Sequence, residues 1–292
     1  MQYKFPESLT AMSVRLFLQK HAGISLTLWR RIKRSESFCL NGQPMNPALT
    51  IVHPGDIISY ELNETTSILP LDMPLDIRYE DDCILVINKP AGQLVHPSNN
   101  SQKTTLANAV LYHYQDTHQT HGFHPVHRLD RRTSGLVLIA KLPQIQHQLT
   151  TGSDKLFERR YLALISGQLL PATGTIDMPI ARRPGSIIER MVAPNGQKAI
   201  THYHTLQTTT DLSLLELTLE TGRTHQIRVH LAYKGHPLLG DDLYGGCCQQ
   251  ISRQALHSWK LQFTHPVTGK NIQITAPLPD DMTHILSSFS KT

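Results

Sequence analysis

Residues 127–141 read HRLDRRTSGLVLIAK, a charged loop that leads directly into an apolar segment. The apolar residues 136–140 predict a buried strand, and the Thr-Ser-Gly sequence at 133–135 is typical of a turn. Asp130 therefore lies just ahead of a core strand, where a rigid scaffold can hold a side chain. Three arginines flank it and favour the ionised carboxylate: Arg128, Arg131 and Arg132. Spacing alone leaves two interpretations open, a functional carboxylate and a surface Asp paired with arginine.

The chain around this loop carries many strand patterns and few helical ones. Strands are predicted at 84–87 and 161–165, and leucines alternate with polar residues over 215–219 as in a half-buried strand. Helical patterns occur around 105–114 and 224–234. This mixture predicts an α+β fold with a mainly antiparallel, mixed sheet rather than a doubly wound parallel fold.

The first sixty or so residues show a separate pattern with two short helices. One helix is predicted after Ser13 and is ended by Gly23, and the next begins near Ser25 or Thr27. Apolar side chains of the second helix face inward. Its other face is basic and carries four residues: Arg30, Arg31, Lys33 and Arg34.

Turn sequences and a strand complete this small unit. Asn41-Gly42 is a hairpin dipeptide, and His-Pro-Gly-Asp at 53–56 precedes a strand-like segment at 57–62. Two prolines and several polar residues then interrupt any periodicity, as in a linker. We expect a small α/β domain, a linker and a larger domain, at residues 1–62, 63–74 and 75–292.

Composition and charge favour an anionic partner. The 292 residues carry a formal net charge of +5 with a pI near 9.0, and paired arginines recur along the chain. Such clusters suit phosphate contacts, although any single pair is equally consistent with a solvated surface. No apolar run approaches the roughly 20 residues needed to span a bilayer, and the N-terminus lacks a signal-peptide pattern. We expect a cytosolic, soluble protein.

Neither the cysteines nor the histidines predict a metal site. The four cysteines, two of them adjacent at 247–248, show no CxxC spacing. The seventeen histidines are scattered without an HExxH motif, including those in the histidine-rich segment 117–124. We therefore expect no metal.

Three ordered blocks resemble the RluA-type pseudouridine synthases. Residues 127–141 are similar to the HRLDxxTSGLLLxAK signature of that family, and 86–97 (VINKPAGQLVHP) to its NKPxGxxVHP segment. Residues 219–230 (LETGRTHQIRVH), followed by GHPLLGD at 235–241, resemble its TGRxHQIRVH block. The resemblance covers roughly 75–277 and implies an isomerase that needs no cofactor. Such an enzyme breaks the N1–C1′ bond of a uridine in RNA and rejoins the uracil through C5.

The N-terminal unit resembles the S4 RNA-binding domain over roughly residues 10–62. Two short helices, the Asn-Gly turn and the Pro-Gly-Asp turn before a strand carry the resemblance. An S4 domain ahead of the catalytic domain is common in the RluA-type family. The resemblance implies that the basic second helix lies against RNA.

The family resemblance assigns catalytic roles to three residues. Asp130 is implied as the essential carboxylate, either a nucleophile at C1′ or a base at the ribose 2′ position through a glycal. Arg223 matches the arginine best placed to be its counter-ion, and Arg228 is expected to contact phosphate or to make a structural pair. Tyr161 matches the active-site tyrosine, whose ring can stack on uracil and whose phenol can assist proton removal at C5.

The target uridine must leave its stack before a carboxylate can reach its glycosidic bond. Arg128 is placed to fill the resulting gap or to hold a phosphate, and Arg131 and Arg132 of the same loop are expected to bind RNA as well. Leu239 or Leu238 is expected to form an apolar wall against the base. Lys89, in the NKPAG segment, is expected to shape a supporting loop.

Three alternatives remain beside a monomeric synthase acting on ribosomal RNA, most plausibly 23S. The first is a synthase acting on transfer RNA, and the second is an RNA-binding protein of the same fold without turnover. The third is a base-releasing hydrolase, which usually needs a second carboxylate near the first, and no such paired motif is seen.

Overall fold

A computed structural model describes residues 1–61, 66–97, 104–151 and 157–289 of the chain. Residues 63–65 of the predicted linker and the last three residues of the predicted larger domain lie outside these ranges. The described residues form several hydrophobic clusters. One consists entirely of side chains between Phe5 and Tyr60, and the others belong to the remainder of the chain.

The N-terminal unit contains two helices and six short strands. They are β1 (Gln2–Lys4), β2 (Met12–Ser13), α1 (Val14–Lys20), α2 (Leu26–Arg34), β3 (Cys39–Leu40), β4 (Gln43–Pro44), β5 (Ile51–Val52) and β6 (Ile57–Ser59). The strands pair in the order β1-β6-β3-β4, with β2 paired to β5. The strand predicted over 57–62 is shorter than expected, since β6 ends at Ser59.

Both predicted helices of this unit are confirmed, and serines begin them. Ser13 accepts a hydrogen bond from the backbone N–H of Leu16, and Ser25 accepts one from Leu28; each satisfies a donor at a helix start. The face of α2 that includes Leu28 and Ile32 is buried. On the opposite face Arg31 is half-buried. The other three basic residues of that face are exposed: Arg30, Lys33 and Arg34.

The segment after the N-terminal unit packs on the larger unit rather than acting as a free spacer. Ile68 and Leu75 pack against the main core. Asn108 donates from Nδ2 to the carbonyl of Leu69 at 2.7 Å, and the N–H of Leu71 donates back to the carbonyl of Asn108 at 3.1 Å. These contacts anchor the segment on the helix that carries Asn108.

The described residues of the larger unit form twelve strands and four helices. Its first half comprises β7 (Ile77–Glu80), β8 (Ile84–Lys89), α3 (Leu106–Asp116), β9 (His124–Pro125), β10 (Ser134–Ala140), α4 (Pro143–Thr150), β11 (Phe157–Ser166) and β12 (Thr173–Asp177). Its second half comprises β13 (Ile180–Arg182), β14 (Arg190–Val192), β15 (Ile200–Thr208), β16 (Leu212–Leu219), α5 (Gln226–Tyr233), β17 (Leu256–Thr264), β18 (Asn271–Thr275) and α6 (Asp280–Phe289).

A ten-stranded sheet organises this unit. Its main path runs β12-β15-β16-β11-β17-β10-β8-β7, with β18 added to β17 and β9 to β10, while β13 and β14 form a separate hairpin. The β10–β17 pair is parallel and the other pairs are antiparallel. The predicted α+β fold with a mainly antiparallel, mixed sheet is confirmed.

The parallel β10–β17 junction depends on a glycine at the start of β10. Gly135 has a φ of +110°, and a Cβ there would lie 2.3 Å from the carbonyl oxygen of Ser258 on β17. Only glycine permits both the backbone conformation and this approach. The loop that carries Asp130 is therefore fixed against the centre of the sheet.

The two units also touch each other directly. Gln148 on α4 donates from Nε2 to the carbonyl of Ala22 at 3.1 Å, and its side chain occupies the space where a Cβ of Gly23 would be. None of the helices within the described ranges has the length and apolarity required to cross a membrane.

Candidate active site

Asp130 lies in the loop before β10, and two backbone segments hold this loop. Its carbonyl accepts the N–H of Thr133 at 3.1 Å, which closes a turn. The neighbouring Arg131 exchanges hydrogen bonds with Gly92, receiving the Gly92 N–H on its carbonyl at 2.8 Å and donating Nε to the Gly92 carbonyl at 2.9 Å. The side chain of Asp130 is 27% exposed, so its carboxylate is open to a ligand.

Lys89 supports the same loop from beneath. Its ammonium is buried and donates to the carbonyls of Pro90 at 2.8 Å, Gln93 at 2.9 Å and Arg131 at 3.3 Å. Burial lowers the pKa of Lys89 to about 7, against the opposing effect of the Asp130 charge. Three carbonyl acceptors use all three donors of the ammonium. Lys89 thus joins the end of β8 to the Asp130 loop.

Asp130 is part of a chain of three charged side chains. Arg228, on α5, donates from Nη1 to Oδ2 of Asp130 at 3.2 Å. The other edge of the same guanidinium holds Asp241 through two bonds, Nε to Oδ2 at 2.7 Å and Nη2 to Oδ1 at 2.8 Å. Asp241 is fully buried. A planar guanidinium suits this arrangement because its donors form a fixed fork.

Asp241 reaches this position through a tight turn. The preceding residue, Gly240, has a φ of +71°, and a Cβ there would lie 2.0 Å from the carbonyl oxygen of Arg253. The bound carboxylate of Asp241 fixes the plane of the Arg228 guanidinium. Asp130 therefore faces a cation whose orientation is set by a second, buried carboxylate.

The predicted counter-ion was wrong. Arg223 precedes α5 on an exposed turn, and its Nε donates to the carbonyl of Lys198 at 3.0 Å. Arg228 lies within the helix and faces the Asp130 loop, so it makes the ion pair with Asp130. Of the two roles expected for Arg228, the structural pair is confirmed and the phosphate contact was wrong, because its guanidinium is buried between two carboxylates.

Two further side chains surround the Arg228 guanidinium. The ring of Tyr244 lies 4.9 Å from its Cζ, a cation–π contact. The Tyr244 hydroxyl lies 2.8 Å from Nδ1 of His225, and Nε2 of His225 lies 3.9 Å from Oδ2 of Asp130. These rings enclose one side of the charged chain.

Tyr161 lies on β11 within the main core and interacts electrostatically with Asp130. Burial raises the pKa of Tyr161; Arg159 opposes the shift, and the Asp130 charge adds to it. A phenol with a raised pKa stays protonated at neutral pH. Proton removal by a phenolate at this position is therefore disfavoured.

Leu238 and Leu239 are both buried and face different parts of the core. Leu238 belongs to the cluster that contains Tyr161. Leu239 packs instead with Leu164 and Met282, near the C-terminal helix α6. Adjacent residues on an extended segment point to opposite faces. The structure places Leu238, not Leu239, on the side of Tyr161, which favours Leu238 of the two leucines expected to form the apolar wall.

The basic residues beside Asp130 are exposed but differ in their contacts. Arg131 is bound to Gly92, and Nη1 of Arg132 lies 2.9 Å from Oδ2 of Asp242. Arg128 is exposed, and within the part of the chain that the structure describes it makes no ion pair. Of the three arginines, Arg128 has the least committed side chain.

One group of side chains has the composition of a metal site, but both ring nitrogens of its histidine are engaged in hydrogen bonds. Ligand atoms of Asp81, Cys83 and His265 lie within 4.8 Å of one another. However, Nδ1 of His265 accepts the backbone N–H groups of residues 267 and 268, so its Nε2 carries hydrogen and donates to Asp81 at 3.0 Å. These bonds stabilise a turn, and we assign the group a structural role.

Sequence reasoning missed two members of the site. Asp241 is the last residue of the GHPLLGD match, to which no individual role was assigned, and Tyr244 lies just beyond that match. The sequence feature that could have indicated them is an acidic and an aromatic residue close to a glycine turn, shortly after the helix that carries Arg228.

Comparison with known proteins identifies close relatives. The profile of the RNA pseudouridylate synthase family matches residues 83–233. The protein of Bacillus subtilis named uncharacterized RNA pseudouridine synthase YjbO is 45% identical over 241 residues, which cover 81% of this chain and 85% of the relative. Ribosomal large subunit pseudouridine synthase D of Vibrio cholerae is 40% identical over 260 residues, covering 83% of this chain and 80% of the relative.

A solved structure agrees at the level of the fold. Human RNA Pseudouridylate Synthase Domain Containing 4 superposes with a TM-score of 0.58 at 24% identity, covering 73% of this chain and 92% of the human chain. The fold of this chain is therefore shared with that of the human protein.

Proposed function

This chain belongs to the RNA pseudouridylate synthase family, and we propose that its substrate is a uridine in the RNA of the large ribosomal subunit, isomerised at Asp130. The activity of the family is that of an RNA pseudouridine synthase, an isomerase. Relatives named ribosomal large subunit pseudouridine synthase D, at about 40% identity, support the choice of RNA. We propose that the protein acts in the cytoplasm as a monomer.

The chain Asp130–Arg228–Asp241 is the observation that supports the chemical role of Asp130. The reaction breaks the bond between C1′ and N1, turns the uracil and forms a bond between C1′ and C5, from which a proton leaves. Asp130 acts either as nucleophile at C1′ or as base at C2′. In both cases a fixed cation beside a partly exposed carboxylate holds the reacting group in one orientation.

Other residues serve the flipped nucleotide. Tyr161 stacks on the uracil, beside the wall that includes Leu238. Arg128 fills the place that the base leaves or holds its phosphate, which an exposed guanidinium without an internal ion pair is able to do. Arg223, exposed before α5, is the better candidate for phosphate contact than Arg228.

The N-terminal unit supplies affinity at a distance from the chemistry. We propose that residues 1–62 form an S4-like RNA-binding domain and that residues 75–292 form the catalytic domain. The exposed basic residues of α2 support this, because phosphate contacts provide most sequence-independent affinity for RNA. The packing of Gln148 against Ala22 attaches this unit to the catalytic domain.

The test is to map pseudouridine in ribosomal and transfer RNA from a strain that lacks the gene, after incubation with the protein. We expect the wild type to form pseudouridine at one or a few positions of large-subunit RNA, and Asp130→Asn to form none. Modification of transfer RNA alone would overturn the proposed target. Tight RNA binding without product in any RNA would overturn the role assigned to Asp130.

A further inference from the structure

His225 adopts an uncommon backbone conformation beside the catalytic carboxylate. Its φ of +58° and ψ of +20° lie in the left-handed region, immediately before the first turn of α5. Residues other than glycine adopt this region rarely, and strain of this kind persists where the surroundings over-determine the conformation, often at functional sites. The conformation turns the imidazole of His225 toward Asp130.

Tyr244 determines which ring nitrogen of His225 carries hydrogen. The backbone N–H of Arg190 donates to the Tyr244 hydroxyl oxygen at 2.9 Å. The phenol hydrogen then points to Nδ1 of His225 at 2.8 Å, which is its sole acceptor among the described residues. With Nδ1 accepting, the neutral imidazole carries its hydrogen on Nε2.

The Nε2–H of His225 faces Asp130 without being committed to it. Nε2 lies 3.9 Å from Oδ2 of Asp130, the same oxygen that accepts Nη1 of Arg228 at 3.2 Å. A separation of 3.9 Å is too long for a hydrogen bond. Burial lowers the pKa of His225, with Asp130 opposing and Arg228 reinforcing the shift, which keeps the ring neutral. The donor is thus directed at the space where a ligand meets the carboxylate.

We propose that His225 donates a hydrogen bond from Nε2 to a ribose oxygen of the uridine bound at Asp130, and that Tyr244 is the residue that positions it. This proposal rests on the proposed function. Whether Asp130 reacts at C1′ or removes the proton of C2′, a ribose oxygen is bonded to the reacting carbon. A donor beside the reacting carboxylate oxygen is therefore close to that ribose oxygen.

The first test compares two neutral replacements of similar size. The amide nitrogen of glutamine in His225→Gln reaches the place of Nε2, whereas that of asparagine in His225→Asn reaches only the place of Nδ1. Asparagine also tolerates the left-handed conformation better than other residues. The comparison is made by single-turnover rates with saturating enzyme and by the dissociation constant for RNA.

We expect His225→Asn to lower the rate on the order of 10²-fold, the usual effect of losing one preorganised donor. His225→Gln should stay within about tenfold of wild type because it restores a donor at that place. RNA affinity should be unchanged in both, since phosphate contacts provide it. Equal rates for both variants, whether like wild type or equally reduced, would overturn the proposal.

The second test detects the tautomer and needs no RNA. In a long-range ¹⁵N–¹H spectrum of histidine-labelled protein, the signal lost in His225→Gln identifies His225. We expect it to show hydrogen on Nε2 in the wild type and a mixture of tautomers in Tyr244→Phe. Hydrogen on Nδ1 in the wild type would overturn the proposal. A wild type that forms no pseudouridine would instead overturn the proposed function, so the two failures are distinguishable.

Discussion

The charges around Asp130 and those on α2 are arranged in opposite ways. In the Asp130–Arg228–Asp241 chain they are paired, with one buried guanidinium between a partly exposed and a fully buried carboxylate. On α2 the side chains of Arg30, Lys33 and Arg34 are exposed, and no acidic partner within the described ranges neutralises them. Buried pairs hold a reacting group in one geometry, whereas exposed cations attract phosphate at little geometric cost. Chemistry and RNA affinity should therefore be separable.

The largest separation is expected from Asp130→Asn. The amide accepts the same hydrogen bond from Arg228 but is neither a nucleophile nor a base, so the rate should fall by at least about 10⁴-fold. The dissociation constant for RNA should change less than about twofold, because the amide leaves every phosphate contact in place. Single-turnover kinetics and filter binding measure the two quantities.

Asp242→Asn is the matched control for this variant. Asp242 is an exposed carboxylate that pairs with Arg132 of the same loop. It should keep the wild-type rate, because exposed ion pairs contribute little. A parallel loss of rate and affinity in Asp130→Asn would mean that this loop serves mainly to bind RNA.

A low pH should destabilise the folded protein at the β10–β17 pair, which supports the Asp130 loop. His257 on β17 lies 2.9 Å from the Ser134 hydroxyl of β10, and burial lowers its pKa to about 4. Between pH 6.5 and 4 the unfolded chain binds a proton that the folded protein does not, so the free energy of unfolding falls as the pH falls. By pH 5 this loss reaches about 2 kcal/mol.

Denaturant titrations at pH 7 and pH 5 measure this effect, with His257→Asn as the comparison. The variant cannot titrate at this position, so its free energy of unfolding should fall by about 2 kcal/mol less than that of the wild type. An equal decrease in both proteins would exclude His257 as the source of acid sensitivity.

The smallest effect concerns the basic face of α2. Replacing Arg30, Lys33 and Arg34 by glutamine should weaken RNA binding about tenfold at physiological salt and make the dependence of log K on log salt shallower by about 2. The rate at saturating RNA should not change. A control that exchanges arginine and lysine at the same positions keeps the charge and should keep the affinity. A slower saturated rate in the glutamine variant would contradict the separation.

Local patterns in the sequence predicted several strands, among them β8, β10, β11 and β16, both N-terminal helices and the loop that carries Asp130. They did not predict which arginine pairs with Asp130, because this depends on the residue at which α5 begins. Arg223 and Arg228 belong to one motif, but α5 begins at Gln226 after the left-handed His225. Arg223 is consequently left on an exposed turn while Arg228 is directed inward. Nothing in residue spacing indicates that conformation.

Contacts between residues that are not neighbours in the sequence could not be predicted either. Asp241 joins Arg228 from a turn that follows α5, and their pairing depends on how that turn packs. Leu238 and Leu239 are chemically alike, and only the direction of the chain beside β11 decides which one faces Tyr161. The segment predicted as a linker packs because Asn108 binds its backbone, and a polar, proline-containing sequence does not show this.

The most direct test of the Asp130–Arg228–Asp241 chain is to replace Arg228 and Arg223 separately by glutamine and to compare single-turnover rates at saturating enzyme. Thermal unfolding checks that each variant is folded. Arg228→Gln removes the cation between Asp130 and Asp241 and should lower the rate by about 10³-fold. Arg223→Gln should keep the rate and weaken RNA binding a few-fold. A large loss of rate in Arg223→Gln together with a near-normal rate in Arg228→Gln would contradict the account.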